Sequence, residues 1–146
     1  MVRIGIIGAA GLSGLELLHL LSRHSEATVK LVTSTKYQGK NVSEVFPELY
    51  QYSLIFNSNE TDVLGCDVVF LAVPNHASLE LVPKLLDQGI RVIDLSGAYR
   101  LADTEVFAKF YKLTHTYPEL LKEAVFGLPE FFSQQISEAR LVSNPG

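Results

Sequence analysis

The stretch GIIGAAGLSG, residues 5–14, constrains the fold more than any other part of the chain. It closes an apolar run, VRIGIIG, and opens a leucine-rich one containing Leu15, Leu17, Leu18, Leu20 and Leu21. That pattern predicts a strand turning sharply into a helix that ends near His24. TVKLVTS, residues 28–34, is a second β-rich run, so the opening reads strand, helix, strand, a βαβ unit. Gly8 sits where the strand must turn, Gly11 lets the backbone approach a pyrophosphate, and Gly14 allows helix and strand to pack closely. Free N–H groups and the positive end of the helix dipole complete a phosphate cradle. Its candidate residues are Gly8, Ala10, Gly11, Leu12, Ser13 and Gly14. The spacing is G-x-x-G-x-x-G, a departure from the usual G-x-G-x-x-G, so the weight of the reading rests on the strand, turn and helix around it.

Further along, DVVFLAV (67–73) is apolar without alternation, as in a strand covered on both faces. HASLELVPKLLDQG (76–89) reads as a helix ending at Gly89, with Pro83 expected to kink it or mark a late start. RVIDLSG (91–97) and RLVS (140–143) read as strands, with two short helical segments, TEVFAKF and PEFFSQQIS, between them. Residues 35–59 are irregular, with SLIF (53–56) as a candidate edge strand. The alternation predicts an α/β fold, a doubly wound, mostly parallel sheet with right-handed crossovers, in one domain spanning 1–146.

The end of the second strand, about 20 residues beyond the glycines, is where an acidic side chain would hold the ribose 2′-hydroxyl of NAD. Here the stretch is TSTKYQGK, with no carboxylate. Ser34 and Thr35 can donate hydrogen bonds, and Lys36 or Lys40 can offset a 2′-phosphate, so the expected cofactor is NADP. Several partners are excluded. A net charge of −4 with no basic cluster argues against nucleic acid and against a polybasic membrane patch. No apolar run approaches the roughly 18–20 residues of a membrane span, and Val2 to Ile7 is too short for a signal peptide, so a cytoplasmic setting is expected. Cys66 is the single cysteine and no histidine pair has ligand spacing, so neither a disulfide framework nor a metal site is expected.

Taken together, GAAGLSGLELL, FLAVPNHAS, VIDLSGAYRL, YKLTHTYPELL, FGLPE and LVSNPG resemble the N-acetyl-γ-glutamyl-phosphate reductase family along the whole chain. The resemblance implies a Rossmann-like NADP-binding domain. It also implies an enzyme that reduces a small-molecule acyl phosphate to an aldehyde with NADPH, through a cysteine thioester, in arginine biosynthesis. In the family the nucleophilic cysteine directly follows Asn-Pro-Gly, whereas Gly146 is the last residue here. No catalytic residue is therefore expected within the chain, which alone should be inactive. The second domain, with most of the substrate pocket and of the homo-oligomer interface, is expected beyond it.

By the same resemblance Arg100 would bind the substrate phosphate and Asn144 would orient substrate, although an ion pair and a plain turn are their structural counterparts. The loop from Ala72 to Ser78 should line the cofactor groove, with Pro74 shaping it and Asn75 or Ser78 capping the next helix. Ser96 and Gly97 should pass near the nicotinamide, Gly97 because it lacks a side chain. Cys66 reads as a small core hydrophobe and His115 as a structural hydrogen-bonding residue. His24 falls near a helix C-terminus, where positive charge is favourable, His76 could face cofactor or solvent, His19 faces nothing identifiable, and Glu119 and Glu130 read as helix-start acids. The alternatives are a sister reductase acting on carrier-protein-linked acyl phosphate, an aspartate-semialdehyde dehydrogenase, and a non-catalytic dinucleotide-binding module.

Overall fold

In the computed structural model, which describes residues 1–146, the VRIGII run forms strand β1 (Val2–Ile7), buried from Ile4 onward. Helix α1 (Leu12–Leu21) follows, and β2 (Ala27–Thr33) returns parallel to β1. α1 ends at Leu21, short of the His24 expected, because the chain passes into turns closed by Arg23 and His24 N–H groups on Leu20 and Leu21 carbonyls. The chain divides into two compact units, Met1–Ala72 and Val73–Gly146.

The first unit continues with a one-turn helix α2 (Val42–Val45), a 3-10 turn at Pro47–Leu49, and two more strands, β3 (Phe56–Asn57) and β4 (Val68–Leu71). Its strand order is β3-β2-β1-β4, with every neighbouring pair parallel. The edge strand expected at 53–56 is thus shifted toward the C-terminus, and Ile55 makes only an isolated antiparallel bridge to Asn41. α2 was not expected; Asn41 starts it with a capping box, accepting from Ser43 N–H while Glu44 reaches back to the Asn41 N–H. The core gathers Ile4, Ile6, Leu18, Val29, Val32 and Phe56. Full burial of each such side chain contributes roughly 1.5–3 kcal/mol.

The second unit holds α3 (Asn75–Asp87), β5 (Arg91–Asp94), α4 (Thr104–Tyr111), α5 (Pro118–Glu123), β6 (Val125–Phe126), α6 (Pro129–Glu138) and β7 (Leu141–Ser143). Its strands lie in the order β5-β7-β6, with β7 parallel to both neighbours. Both units are parallel α/β structures, and the chain has the doubly wound, Rossmann-like architecture that the alternation predicted. α5 and β6 are additions to the expected elements.

Pro83 lies inside α3 without ending it. A proline there cannot donate to the carbonyl four residues back, that of Leu79. The buried Tyr99 hydroxyl points at that carbonyl, 3.5 Å away, a long bond that partly replaces the missing donor. Tyr99 and Phe107 meet His115 edge-on, each with ring centroids 5.1 Å apart. His115 Nδ1 accepts the Tyr117 N–H at 3.2 Å, which leaves Nε2–H to donate to the Ala98 carbonyl at 3.1 Å. His115 is therefore a structural residue of this core, as expected, and is held as one neutral tautomer.

Two expectations follow from this packing. A Cβ on Gly14 would stand 2.5 Å from Ala9 Cα, a backbone atom that cannot rotate away. Gly14→Ala should therefore lower stability by about 1–3 kcal/mol or more, read as an earlier midpoint in urea unfolding. Burial pushes the His115 imidazole below its ordinary value of 6.5, against the pull of the Ala98 carbonyl and Glu119. The unfolded chain then takes up the proton first, so this contribution is intact above pH 6.5 and fades as pH falls below it. Unfolding free energies measured down that range should lose the corresponding slope in His115→Gln.

Candidate functional site

The glycine turn is held from below by one residue. Gly8 has φ of +85°, a left-handed conformation that favours glycine, and its N–H donates to Thr33 Oγ1 at 3.1 Å. The Ala9 N–H donates to the Thr33 carbonyl at 2.9 Å. The turn then delivers Gly11 as the residue before α1, with no side chain capping the helix and no acidic residue in its first turn. A Cβ on Gly11 would meet only the Gly8 carbonyl oxygen, at 3.6 Å, so its outer side is open. Ala10 is half-buried against the core, while Leu12 and Ser13 are exposed at the helix start. Uncapped N–H groups at the positive end of a helix suit a phosphate.

At the end of β2, Ser34 is buried; its N–H donates to the Asn57 carbonyl and its Oγ accepts the Tyr37 N–H at 3.2 Å. The Ser34 oxygen is thus engaged as an acceptor in the local turn, and its hydroxyl proton is left to donate. Thr35 and Lys36 are exposed. The Lys36 ammonium lies 4.9 Å from the Tyr37 ring centroid, with no carboxylate in salt-bridge range, and Lys40 lies 5.9 Å from the same ring. Tyr37 packs in turn on Phe46 and Phe56, which steadies the face that carries both lysines. Ala72 follows β4 and donates its N–H to the Ile7 carbonyl at 2.8 Å. Cys66 is buried, and burial pushes its thiol up, as suits a core residue and not a nucleophile.

The second unit carries the other candidates. Pro74, not Asn75 or Ser78, precedes α3, and no side chain caps it. Asn75 instead accepts the Gly97 N–H at 2.7 Å, so it ties the start of α3 to the loop after β5. Asp94 is buried and organises that loop: its carboxylate accepts the Ser96 N–H at 3.0 Å and the Ser96 hydroxyl at 2.9 Å. Burial raises its pKa, against the opposing pull of Ser78, Ser96 and Arg100. The Ser78 hydroxyl makes this contribution without a hydrogen bond of ordinary geometry.

Arg100 has no carboxylate partner, which removes the ion-pair reading. Its Nε donates to the Asn144 carbonyl and one terminal nitrogen to the Ser96 carbonyl, both at 3.0 Å, and the other reaches the Tyr111 hydroxyl at 3.5 Å. Neutral oxygens orient the guanidinium but leave its charge unneutralised, as an anion site requires. Asn144 is drawn into the same arrangement through its backbone: its N–H donates to the Asp94 carbonyl at 2.9 Å. A Cβ on Gly97 would collide with the Tyr111 ring and hydroxyl, so the missing side chain makes room for that ring.

Thr33, Asp94 and Tyr111 are contributors that sequence reasoning missed, as is Asn59, which accepts the Thr33 hydroxyl. Thr33 opens the segment weighed for the cofactor, but only Ser34, Thr35, Lys36 and Lys40 were singled out there, and nothing in the sequence pairs Tyr111 with Gly97. A separate hollow in the first unit, lined by residues including Leu21, His24, Gln51 and Tyr52, contains none of the candidates.

The chain matches the family model described as semialdehyde dehydrogenase, NAD binding domain, over residues 3–139. It is 50% identical over 147 aligned residues to the N-acetyl-gamma-glutamyl-phosphate reductase of Leptospira borgpetersenii, covering 100% of this chain and 44% of that protein. Identity is 45% to the enzyme of the same name from Nitrosospira multiformis, again over 100% of this chain and 43% of the other. The chain therefore spans less than half the length of these curated relatives. Among solved structures, aspartate semialdehyde dehydrogenase with NADP from Candida albicans superposes with a TM-score of 0.66 at 19% identity, covering 99% of this chain and 42% of that one. At that identity the likeness speaks for the fold alone.

The Tyr111 ring over Gly97 predicts that Gly97→Ala lowers stability by about 1–3 kcal/mol, through a methyl driven into the ring. Thermal unfolding of Gly97→Ala in a Tyr111→Ala background should show most of that added loss removed.

Proposed function

The chain belongs to the semialdehyde dehydrogenase NAD-binding-domain family, and on that basis we propose that it is the NADP-binding part of an N-acetyl-γ-glutamyl-phosphate reductase. The observation that carries the substrate is the 50% identity to a relative of that name along the entire chain. NADP in place of NAD is supported by the exposed Thr35 and Lys36 at the end of β2, where no carboxylate would repel a 2′-phosphate.

In this reading the turn from Gly8 to Gly14 binds the pyrophosphate through backbone N–H groups, and Lys36 and Thr35 hold the 2′-phosphate. NADPH, when bound, supplies the hydride. Ala72, Pro74, Ser96 and Gly97 are proposed to line the remainder of the cofactor path. Arg100, held by the Asn144 and Ser96 carbonyls, takes the phosphate of the acyl phosphate and stabilises it as it leaves. Asn144 is proposed to orient the acyl group. In this reading the nucleophile is a thiol other than Cys66, which is buried with its pKa raised. Attack of that thiolate on the acyl carbon expels phosphate; hydride addition to the thioester then releases aldehyde and regenerates the thiolate. A cytoplasmic setting and a homo-oligomeric complete enzyme belong to the same reading.

Two measurements test it. Calorimetric titration with NADP and NAD at one ionic strength should show tighter NADP binding, and Lys36→Ala should narrow the gap; equal or tighter NAD binding would overturn the cofactor assignment. The full-length protein should oxidise N-acetylglutamate semialdehyde with NADP only when inorganic phosphate is present, while the 146-residue chain alone shows no turnover. Failure of the full-length protein to do so would overturn the substrate.

A further inference from the structure

The loop after β3 brings Asn59 against the end of β2, where it joins a hydrogen-bond chain that starts at the glycine turn. Thr33 Oγ1 accepts the Gly8 N–H at 3.1 Å and donates to Asn59 Oδ1. Asn59 Nδ2 then donates to Thr35 Oγ1 at 3.2 Å. The direction of this chain is set at its origin, because a backbone N–H can only donate. Thr33 accepts that hydrogen on its oxygen and passes its own proton to the Asn59 carbonyl oxygen, which turns the amide nitrogen toward Thr35. The Thr35 oxygen is occupied as an acceptor, and its hydroxyl proton remains free on an exposed side chain.

A hydroxyl fixed in that sense favours a ligand group that only accepts. A phosphate dianion is such a group, whereas a ribose hydroxyl can serve as donor or acceptor. Resting on the NADP reading above, we propose that Asn59 is a positioning residue for cofactor discrimination: it turns the Thr35 hydroxyl outward as a committed donor to the 2′-phosphate, next to Lys36. Asn59 is half-buried, with Glu60 beside it exposed, and it belongs to no helix or strand. Its replacement should leave the fold intact.

The test is a double-mutant cycle on the full-length protein, with Kd for NADP and for NAD measured in wild type, Asn59→Ala, Thr35→Val and the double variant. Each single substitution should lower the NADP-over-NAD preference by about three- to tenfold, the scale of one hydrogen bond to a charged group in an exposed site. The double variant should fall no further than either single one, and NAD affinity should stay unchanged, a selectivity that a general loss of stability would not produce. An unchanged preference in Asn59→Ala, equal loss of NADP and NAD affinity, or multiplicative losses in the double variant would overturn the positioning role while leaving NADP as the cofactor. Absence of any NADP preference in the wild type would overturn the NADP reading and this inference with it.

Discussion

Thr33 accepts both N–H groups that follow the first strand, that of Gly8 on its hydroxyl and that of Ala9 on its carbonyl. It is fully buried, so these bonds are made away from water, where an unpaired amide would cost about 1–3 kcal/mol. They hold the turn in which Gly8 adopts its left-handed conformation and from which α1 starts without a capping side chain. The approach of Gly14 to Ala9 depends on the same placement, as does the hydrogen-bond chain through Asn59. One β-branched residue at a strand end thereby serves the glycine turn, the start of α1 and the hydrogen-bond chain toward Thr35 together.

The second unit solves a different problem, how to hold a cation without neutralising it. Arg100 is oriented by two backbone carbonyls and a phenol, while the one buried carboxylate nearby, Asp94, spends its acceptor capacity on Ser96. A carboxylate within salt-bridge range would have cancelled the guanidinium's charge. Asn75, displaced from the capping role its position suggests, fixes the Gly97 amide and so the loop that carries Ser96 to Arg100.

The strands and long helices were legible because their signals are periodic and extended: β1, β4, β5 and β7 fall within the runs read as strands, β2 and α3 each start one residue earlier than read, and α1 overlaps its leucine-rich segment from Leu12. α2, α5 and β6 span 4, 6 and 2 residues, too few for a periodicity to show. Pro83 suggested a kink or a late start, yet α3 already starts at Asn75 and runs through it, where Tyr99, distant in sequence, points a donor at the carbonyl the proline orphans. Of the candidate site, the glycine turn and the acid-free end of β2 were readable, because each needs particular residue types at local spacing. The engagement of the Ser34 oxygen in its own turn, the Tyr111 ring over Gly97 and the acceptors around Arg100 were not, because each joins residues that the sequence does not place together.

The sequence by itself determined the chemistry on offer: backbone amides freed by glycine, lysines with no acid among their neighbours in the chain, an arginine beyond a strand end, and a single cysteine. These follow from residue identity and short-range geometry. Tertiary structure alone decided which of those groups remain free to act. It buried Ser34 and Cys66, left Thr35 and Lys36 in water, and surrounded Arg100 with neutral oxygens. A side chain's hydrogen-bond partners and its desolvation are set by neighbours tens of residues away, as with Gly8 and Thr33 or Arg100 and Asn144, and no local pattern encodes them.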